Sequence, residues 1–360
     1  MKTISIKPVW TIQHDDGQAL PPRLLELLVQ VHALGSLLAA CQRLGVSYRH
    51  AWDLVRQGEA QFGTTLLHME RGKGSTLSPL GEKLVWADHR ISARLRPVLD
   101  SLASELATEI SRVSVAEPVV LRMHASHGFA VETLVEFLKQ DHRGVEIKYC
   151  SSTEAAAALR DGACDAAGFH IPAGDAEAAA LAHYARWLDP NHLVVDLATR
   201  RQGLIVAPGN PKKVYDVADL VRSEVRFINR QAGSGTRLLL ESLLESKRVD
   251  PADIHGFEQG EFTHAAVAAY VASGMADVGF GLETPARRFH LDFVPLALER
   301  YFLLCSSATL SLPAMQATLA VLCSPSFHEA VDRLPGYSAS NAGRVTALRD
   351  AFTRWPAAGR

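Results

Sequence analysis

Hydrophobic positions fall into two regimes along the 360 residues. Up to about residue 110 they recur every three or four positions, the helical period. Pro21 and Pro22 precede Leu24, Leu25, Leu27, Leu28 and Val31 on one helical face, and Gly35 ends that segment. A second helix is expected over 36–44, with Leu37, Leu38, Ala40, Cys41 and Leu44 on its apolar side. Gly45 permits a sharp turn, and Ser47 suits the N-cap of a third helix reaching about Phe62, with Ala51, Trp52 and Val55 inward. Residues 66–71 then alternate like a strand, 72–75 read as a turn, and Thr76-Leu77 begins a return strand. Ser78-Pro79 opens a long helix to about Ile110, in which Ile91, Leu95, Val98 and Leu102 have the 4, 3, 4 spacing of a coiled-coil seam.

The second regime follows residues 111–118, which lose the helical period. Strand-like runs at 119–125, 145–150 and 164–169 alternate with amphipathic helices at 128–140 and 153–161. That alternation predicts a parallel sheet covered by helices on both faces. A short pattern occurs twice after an alanine-rich helix, as Gly162-Ala163-Cys164-Asp165-Ala166-Ala167-Gly168-Phe169 and as Gly274-Met275-Ala276-Asp277-Val278-Gly279-Phe280. Two equivalent lobes explain the repeat, with crossings near 203–208 and 296–305 and the last helices, from about Pro313, rejoining the first lobe. The expected organisation is a winged helix-turn-helix over 1–78, a dimerisation and linker helix over 79–117, and a bilobed α/β domain over 118–360. Its lobe 1 takes about 118–205 and 300–360, and lobe 2 about 206–299.

Charge adds a partner to this picture. The whole chain is near neutral, but residues 40–96 hold 9 Lys and Arg against 5 Asp and Glu. A local basic excess of this kind suits double-stranded DNA. The third helix carries Ser47, Tyr48, Arg49, His50, Asp53 and Arg56 near its start, where a recognition helix meets base edges. Arg71 and Lys73 at the wing suit phosphate. The plain alternative is a small helical bundle with a solvated basic face.

Two segments resemble the DNA-binding half of the molybdate-responsive ModE-type regulators, namely 35–55, with Ser47, Tyr48, Arg49, Ala51 and Trp52, and 72–84. The closing Thr76-Leu77-Ser78 with Gly81 is shared with the wider LysR type. The resemblance implies a homodimer, or a homotetramer, on a pseudo-palindromic operator. The later half resembles type II periplasmic-binding-protein domains linked with molybdenum metabolism. The residues that carry this are Arg200–Leu204, Pro208–Pro211, Asn229–Arg237, Glu261–His264 and Leu291–Leu296. A standard ModE-type chain carries small β-barrels where this one has the bilobed domain, so the ligand is not inherited from the first half alone.

Ligands in open α/β sheets sit at the carboxyl ends of strands. Gly233-Ser234-Gly235-Thr236 follows the strand 225–228 and opens a helix, offering N–H groups and hydroxyls to an anion, with Arg237 adding charge. Ser126 and His127, Ser151, Ser152 and Thr153, and His170 follow the strands of the first lobe, and Thr263 and His264 hold the matching place in the second. Arg201 and Tyr301 complete the candidate set. Each Ser or Thr, taken singly, also serves as an ordinary helix cap. The histidines lack metal-ligand spacing, and the five cysteines are odd in number, widely spaced and suited to buried free thiols.

No nucleophile elbow, P-loop or dinucleotide fingerprint stands at a useful place, so no enzyme is expected. No apolar run suits a membrane span or an export signal, and a cytoplasmic protein is expected. The expectation is a ligand-responsive transcription regulator without a resident cofactor or metal. The resemblance implies molybdate, tungstate or a molybdenum-cofactor-related metabolite as effector. An unrelated organic effector, a cytoplasmic enzyme and a ligand carrier are the alternatives.

Overall fold

The computed structural model describes residues 4–13, 17, 19–70, 74–114, 120–141 and 144–352. Two compact units emerge, one built on residues 7–95 and the other on the chain from Arg96 onward.

The first unit contains α1 (Pro22–Leu34), α2 (Leu37–Leu44), α3 (Tyr48–Phe62), the hairpin β1 (Leu67–Glu70) and β2 (Gly74–Leu77), and the start of α4 (Pro79–Ser114). Ser36 and Ser47 cap α2 and α3 by accepting the N–H groups of Ala39 and His50. Gly45, at φ +65°, turns the chain between them in a left-handed conformation that other residues adopt at a cost. Leu24, Leu28, Val31, Leu37, Cys41, Ala51 and Val55 close the core. The hairpin departs from expectation, because Gly74 and Ser75 belong to the return strand and not to the turn. Ser75 is buried and held there. Its N–H donates to the Gly35 carbonyl, and its hydroxyl accepts the N–H of Leu37. Arg71 and Lys73, assigned to the wing, lie outside the described residues.

The second unit alternates β3 (Val120–Ala125), α5 (Phe129–Gln140), β4 (Gly144–Tyr149), α6 (Ser152–Arg160), β5 (Ala166–Pro172), α7 (Glu177–Tyr184) and β6 (Leu193–Val206). It continues with β7 (Phe227–Arg230), α8 (Gly235–Ser246), β8 (Gly260–Glu261), α9 (His264–Ala272), β9 (Val278–Leu282), α10 (Glu283–Arg288) and β10 (Asp292–Cys305). The strand order is β4-β3-β5-β10-β6-β9-β7-β8. Parallel strands β3, β4 and β5 form one lobe, and β7, β8 and β9 the other. The long antiparallel pair β6 and β10 joins them. β10 pairs with β5 from Glu299 onward, and β6 pairs with β9 from Gln202 onward. The chain therefore changes lobes near Gln202, one residue ahead of the expected 203–208, and near Glu299, within the expected 296–305. Each half-sheet is covered on both faces by apolar clusters.

The repeated pattern has a structural reason. Asp165 accepts the backbone N–H of Arg122 and pairs with its guanidinium, and Asp277 does the same with Arg226. Each aspartate clamps its strand beside the first strand of its lobe, so these residues serve registration and not a site.

The units part between Leu95 and Arg96, inside α4, whereas the expected linker ran to residue 117. Beyond Arg96 the helix docks on the edge strand β4. The hydroxyls of Ser101 and Ser104 accept the N–H groups of Tyr149 and Ile147, each at 2.9 Å. Edge N–H groups that would otherwise face solvent are satisfied in this way.

Candidate functional site

Strand ends decide which side chains meet. Ser126 and His127 follow β3, Cys150 and Ser151 follow β4, Ser152 opens α6, and His170 stands on β5. From the other lobe come Arg230 at the end of β7, Gln231, the start of α8, and Phe262 and His264 at the start of α9. These residues line one cleft between the lobes. Its free volume is about 20 Å³, against the roughly 10–15 Å³ that a single water needs. A Cβ added to Gly235 would fall 2.6 Å from His170 Cε1, so glycine is what lets α8 approach the opposite lobe.

Nine of the residues proposed from sequence meet here, namely Ser126, His127, Ser151, Ser152, His170, Ser234, Gly235, Thr236 and His264. The others are turned to different tasks. Arg237 points away, bound to Glu241 and Glu258 at 3.0 Å each. Arg201 pairs with Glu283 at 2.8 Å, its side chain half exposed. Thr153 stands 3.4 Å from His183 Nε2, and Thr263 caps α9 by accepting the N–H of Ala266. Gly233, at φ +78°, shapes the turn outside the cleft wall. Tyr301 is buried behind the wall, and its hydroxyl donates to the Ser126 carbonyl at 2.7 Å. Among the described residues no His, Cys, Asp or Glu group of metal-holding size exists.

Sequence reasoning missed the charges that set the cleft's character. β7 runs two residues past the expected end at Ile228 and places Arg230 in the cleft. The guanidinium of Arg230 donates to the carbonyls of Glu261 and Phe262, at 3.2 and 2.7 Å, and among the described residues has no carboxylate partner. Burial, with the nearby Arg200 charge adding to it, pushes Arg230 down to about 9. Behind His170 lies Glu299, fully buried. One carboxylate oxygen is 2.9 Å from His170 Nδ1, and the other accepts Arg200 Nε at 3.0 Å and Gln202 Nε2 at 2.8 Å. Burial works against the ionised carboxyl, but His170, Arg200 and Gln202 together hold it at about 2. Burial also lowers His170, against the pull of Glu299, and lowers His264 strongly. The available signal was charge inside otherwise apolar strands, since Arg200 and Glu299 each interrupt one, and at a strand end, where Arg230 closes β7.

One wall of the cleft is also tied to α4. His127 Nε2 is 2.7 Å from Glu132, and the same carboxylate oxygen is 3.8 Å from Arg96 of α4. In the other unit, Ser47, Tyr48, Arg49, His50, Asp53 and Arg56 are all exposed along the outer face of α3. The opposite face, with Ala51, Leu54 and Val55, is buried.

Comparison with known proteins agrees with this architecture. Residues 135–323 match the PBP superfamily domain, and residues 22–82 match the lysR-family bacterial regulatory helix-turn-helix protein. YvgK of Bacillus subtilis, an uncharacterized protein, is 31% identical over 55% of this chain and 64% of its own length. The molybdenum-pterin-binding protein MopB of Rhodobacter capsulatus is 30% identical over 32% of this chain and 43% of its own. The chain thus spans less than two thirds of either relative. A hydrogen-peroxide-bound mutant of Corynebacterium glutamicum OxyR aligns at a TM-score of 0.45 and 16% identity, over 86% of this chain and 93% of that one. The chain belongs to the PBP superfamily, and a segment that matches the lysR-family helix-turn-helix stands ahead of that domain.

Proposed function

We propose that the protein is a ligand-responsive DNA-binding regulator whose effector is a small anion held between the two lobes. That anion is either an oxyanion of the molybdate and tungstate class or a molybdenum-cofactor-related metabolite with an anionic group. The observation that carries this is Arg230, a buried cation with no carboxylate in ion-pair contact among the described residues, which faces the cleft beside the first turn of α8. That turn leaves the N–H groups of Gly235 and Thr236 without intrahelical acceptors. A negative group there answers both the charge and the helix N-terminus. The resemblance to MopB, a protein named for binding molybdenum-pterin, supports the molybdenum side of the reading.

A thermal scan of the full chain with millimolar molybdate, tungstate, sulfate or phosphate tests this. A ligand that binds only the folded protein adds about 2.7 kcal/mol at a hundredfold excess over Kd. The midpoint should rise with at least one anion, and the rise should vanish in Arg230→Gln and in Thr236→Val. No rise with any of them removes the anion reading.

On the DNA side the reading places α3 in the major groove, through Ser47, Tyr48, Arg49, His50, Asp53 and Arg56, with Arg71 and Lys73 on phosphate. Arg49→Ala should weaken operator binding by about 1–3 kcal/mol without moving the unfolding midpoint, because Arg49 is exposed. Gel-shift titration beside a melt checks both, and unchanged affinity would displace the interface from α3. Two copies joined along α4 would present two such helices to a pseudo-palindromic, cytoplasmic operator. Closure of the lobes reaches α4 through His127, Glu132 and Arg96.

A further inference from the structure

Groups behind the cleft settle several of its hydrogen-bond directions, and these differ between the two lobes. On the α8 side, Gln202 Nε2 donates to Glu299 at 2.8 Å and to the Thr236 hydroxyl at 3.1 Å. The carboxylate requires the nitrogen end of the Gln202 amide to face it, because the oxygen end would set lone pairs against lone pairs. Thr236 therefore accepts from Gln202 and keeps its own hydrogen for the cleft. The N–H groups of Gly235 and Thr236 and the guanidinium of Arg230 point the same way in sense. This lobe offers donors.

The opposite wall opens α6 with donors of its own and adds two acceptors. Tyr301 has one hydroxyl hydrogen and gives it to the Ser126 carbonyl at 2.7 Å. Its oxygen therefore accepts from the Ser126 hydroxyl, 3.2 Å away, which leaves Ser126 Oγ with only lone pairs for a ligand. His170 Nδ1 is 2.9 Å from the Glu299 carboxylate and carries its hydrogen there. Its Nε2 is left for the cleft, and because burial lowers His170 that nitrogen is a bare acceptor at neutral pH. Ser151 accepts the N–H of Glu154 as a helix cap and keeps a rotatable hydrogen, so it serves in either sense. His127 spends Nε2 on Glu132.

Resting on the anion reading above, we infer that the cleft selects an anion that itself carries a hydrogen-bond donor, an O–H or an N–H, over one whose surface is all lone pairs. The negative group meets Arg230 and α8, and its hydrogen meets Ser126 Oγ or His170 Nε2. A fully deprotonated tetrahedral oxyanion finds donors on both walls, among them the Ser151 hydroxyl, but faces Ser126 Oγ and His170 Nε2 lone pair to lone pair, which weakens its hold on that lobe. Within the proposed class this favours a protonated oxyanion or an organic anion with N–H or O–H groups over bare molybdate.

Titrations of the full-length protein by thermal shift at about pH 8 separate these cases. Hydrogen phosphate and fluorophosphate share charge and shape and differ by one O–H. Sulfate, molybdate and tungstate carry none. Aminoethyl phosphate against methyl phosphate asks whether an N–H on an organic group does the same work. Hydrogen phosphate or aminoethyl phosphate should bind roughly 10-fold to 100-fold more tightly than its donor-free counterpart, the loss expected when a buried acceptor goes unpaired. Which of the two pairs shows the larger gap tells whether the donor is inorganic or organic. Ser126→Ala should narrow the gap by removing one of the two acceptors. Equal or tighter binding of sulfate, molybdate, tungstate and fluorophosphate overturns the inference and leaves the anion reading standing. No shift with any of the seven anions removes the anion reading itself.

Discussion

Glu299→Ala is expected to lose about 3–5 kcal/mol of folding stability at neutral pH, the usual cost of leaving a buried charge without its partner. Glu299 is fully buried, and Arg200, equally enclosed, has its Nε on the carboxylate. Removing the carboxylate strands the Arg200 charge and leaves one hydrogen of Gln202 and the Nδ1–H of His170 without acceptors. The pH dependence has a definite sign. The folded carboxyl stands at about 2 against an ordinary 4.5, so its stabilisation is present above about pH 4.5 and is lost as pH falls toward 2. Urea unfolding at about pH 7 and pH 3 should show a wide gap between wild type and Glu299→Ala at the higher pH and a narrower one at the lower. A neutral-pH loss below about 1 kcal/mol would mean that Arg200 finds another partner, and the account of the buried cluster would fail.

The second large effect concerns α4. Val98, Leu102, Leu106 and Ile110 are each between 42% and 50% exposed, an apolar stripe with spacings of four on a 36-residue helix. A stripe of this kind seals against a matching helix, and a second copy of the chain supplies one. The double substitution Leu102→Asp with Leu106→Asp should give a monomer by light scattering. Operator affinity should fall by about 100-fold or more as the two linked half-site contacts become independent. The unfolding midpoint of the bilobed domain should hold, because neither side chain enters its core. A variant that stays dimeric places the interface elsewhere on the surface.

Legibility followed the range of the interactions involved. The helix-turn-helix was readable because its determinants are local. Ser36 and Ser47 cap, Gly35 and Gly45 terminate, and Leu24 to Val31 repeat at the helical period. The alternation of strands and helices after residue 119 was readable for the same reason. So was the strand-to-helix turn at Ser234–Thr236, which depends on a strand end and a helix start a few residues apart. The hairpin was less so, since Ser75 joins β2 through bonds to Gly35 and Leu37, some forty residues away.

What the sequence by itself determined, then, is the helix-turn-helix, the alternation of strands and helices that opens the second domain, the class of the fold and the nine cleft residues that sit at strand ends or helix starts. Only the tertiary structure decided the cleft's charge and its hydrogen-bond directions. Arg200, Gln202 and Glu299 lie on two strands about a hundred residues apart and meet because β6 and β10 pair in register. Whether Thr236 donates or Ser126 accepts depends on that meeting and on Tyr301 behind it. Arg201 and Arg237 show the converse, because cations at promising positions were drawn off by Glu283, Glu241 and Glu258. A side chain's role in a site is fixed by which partner reaches it first in space, and spacing along the chain carries that information only across a turn or two.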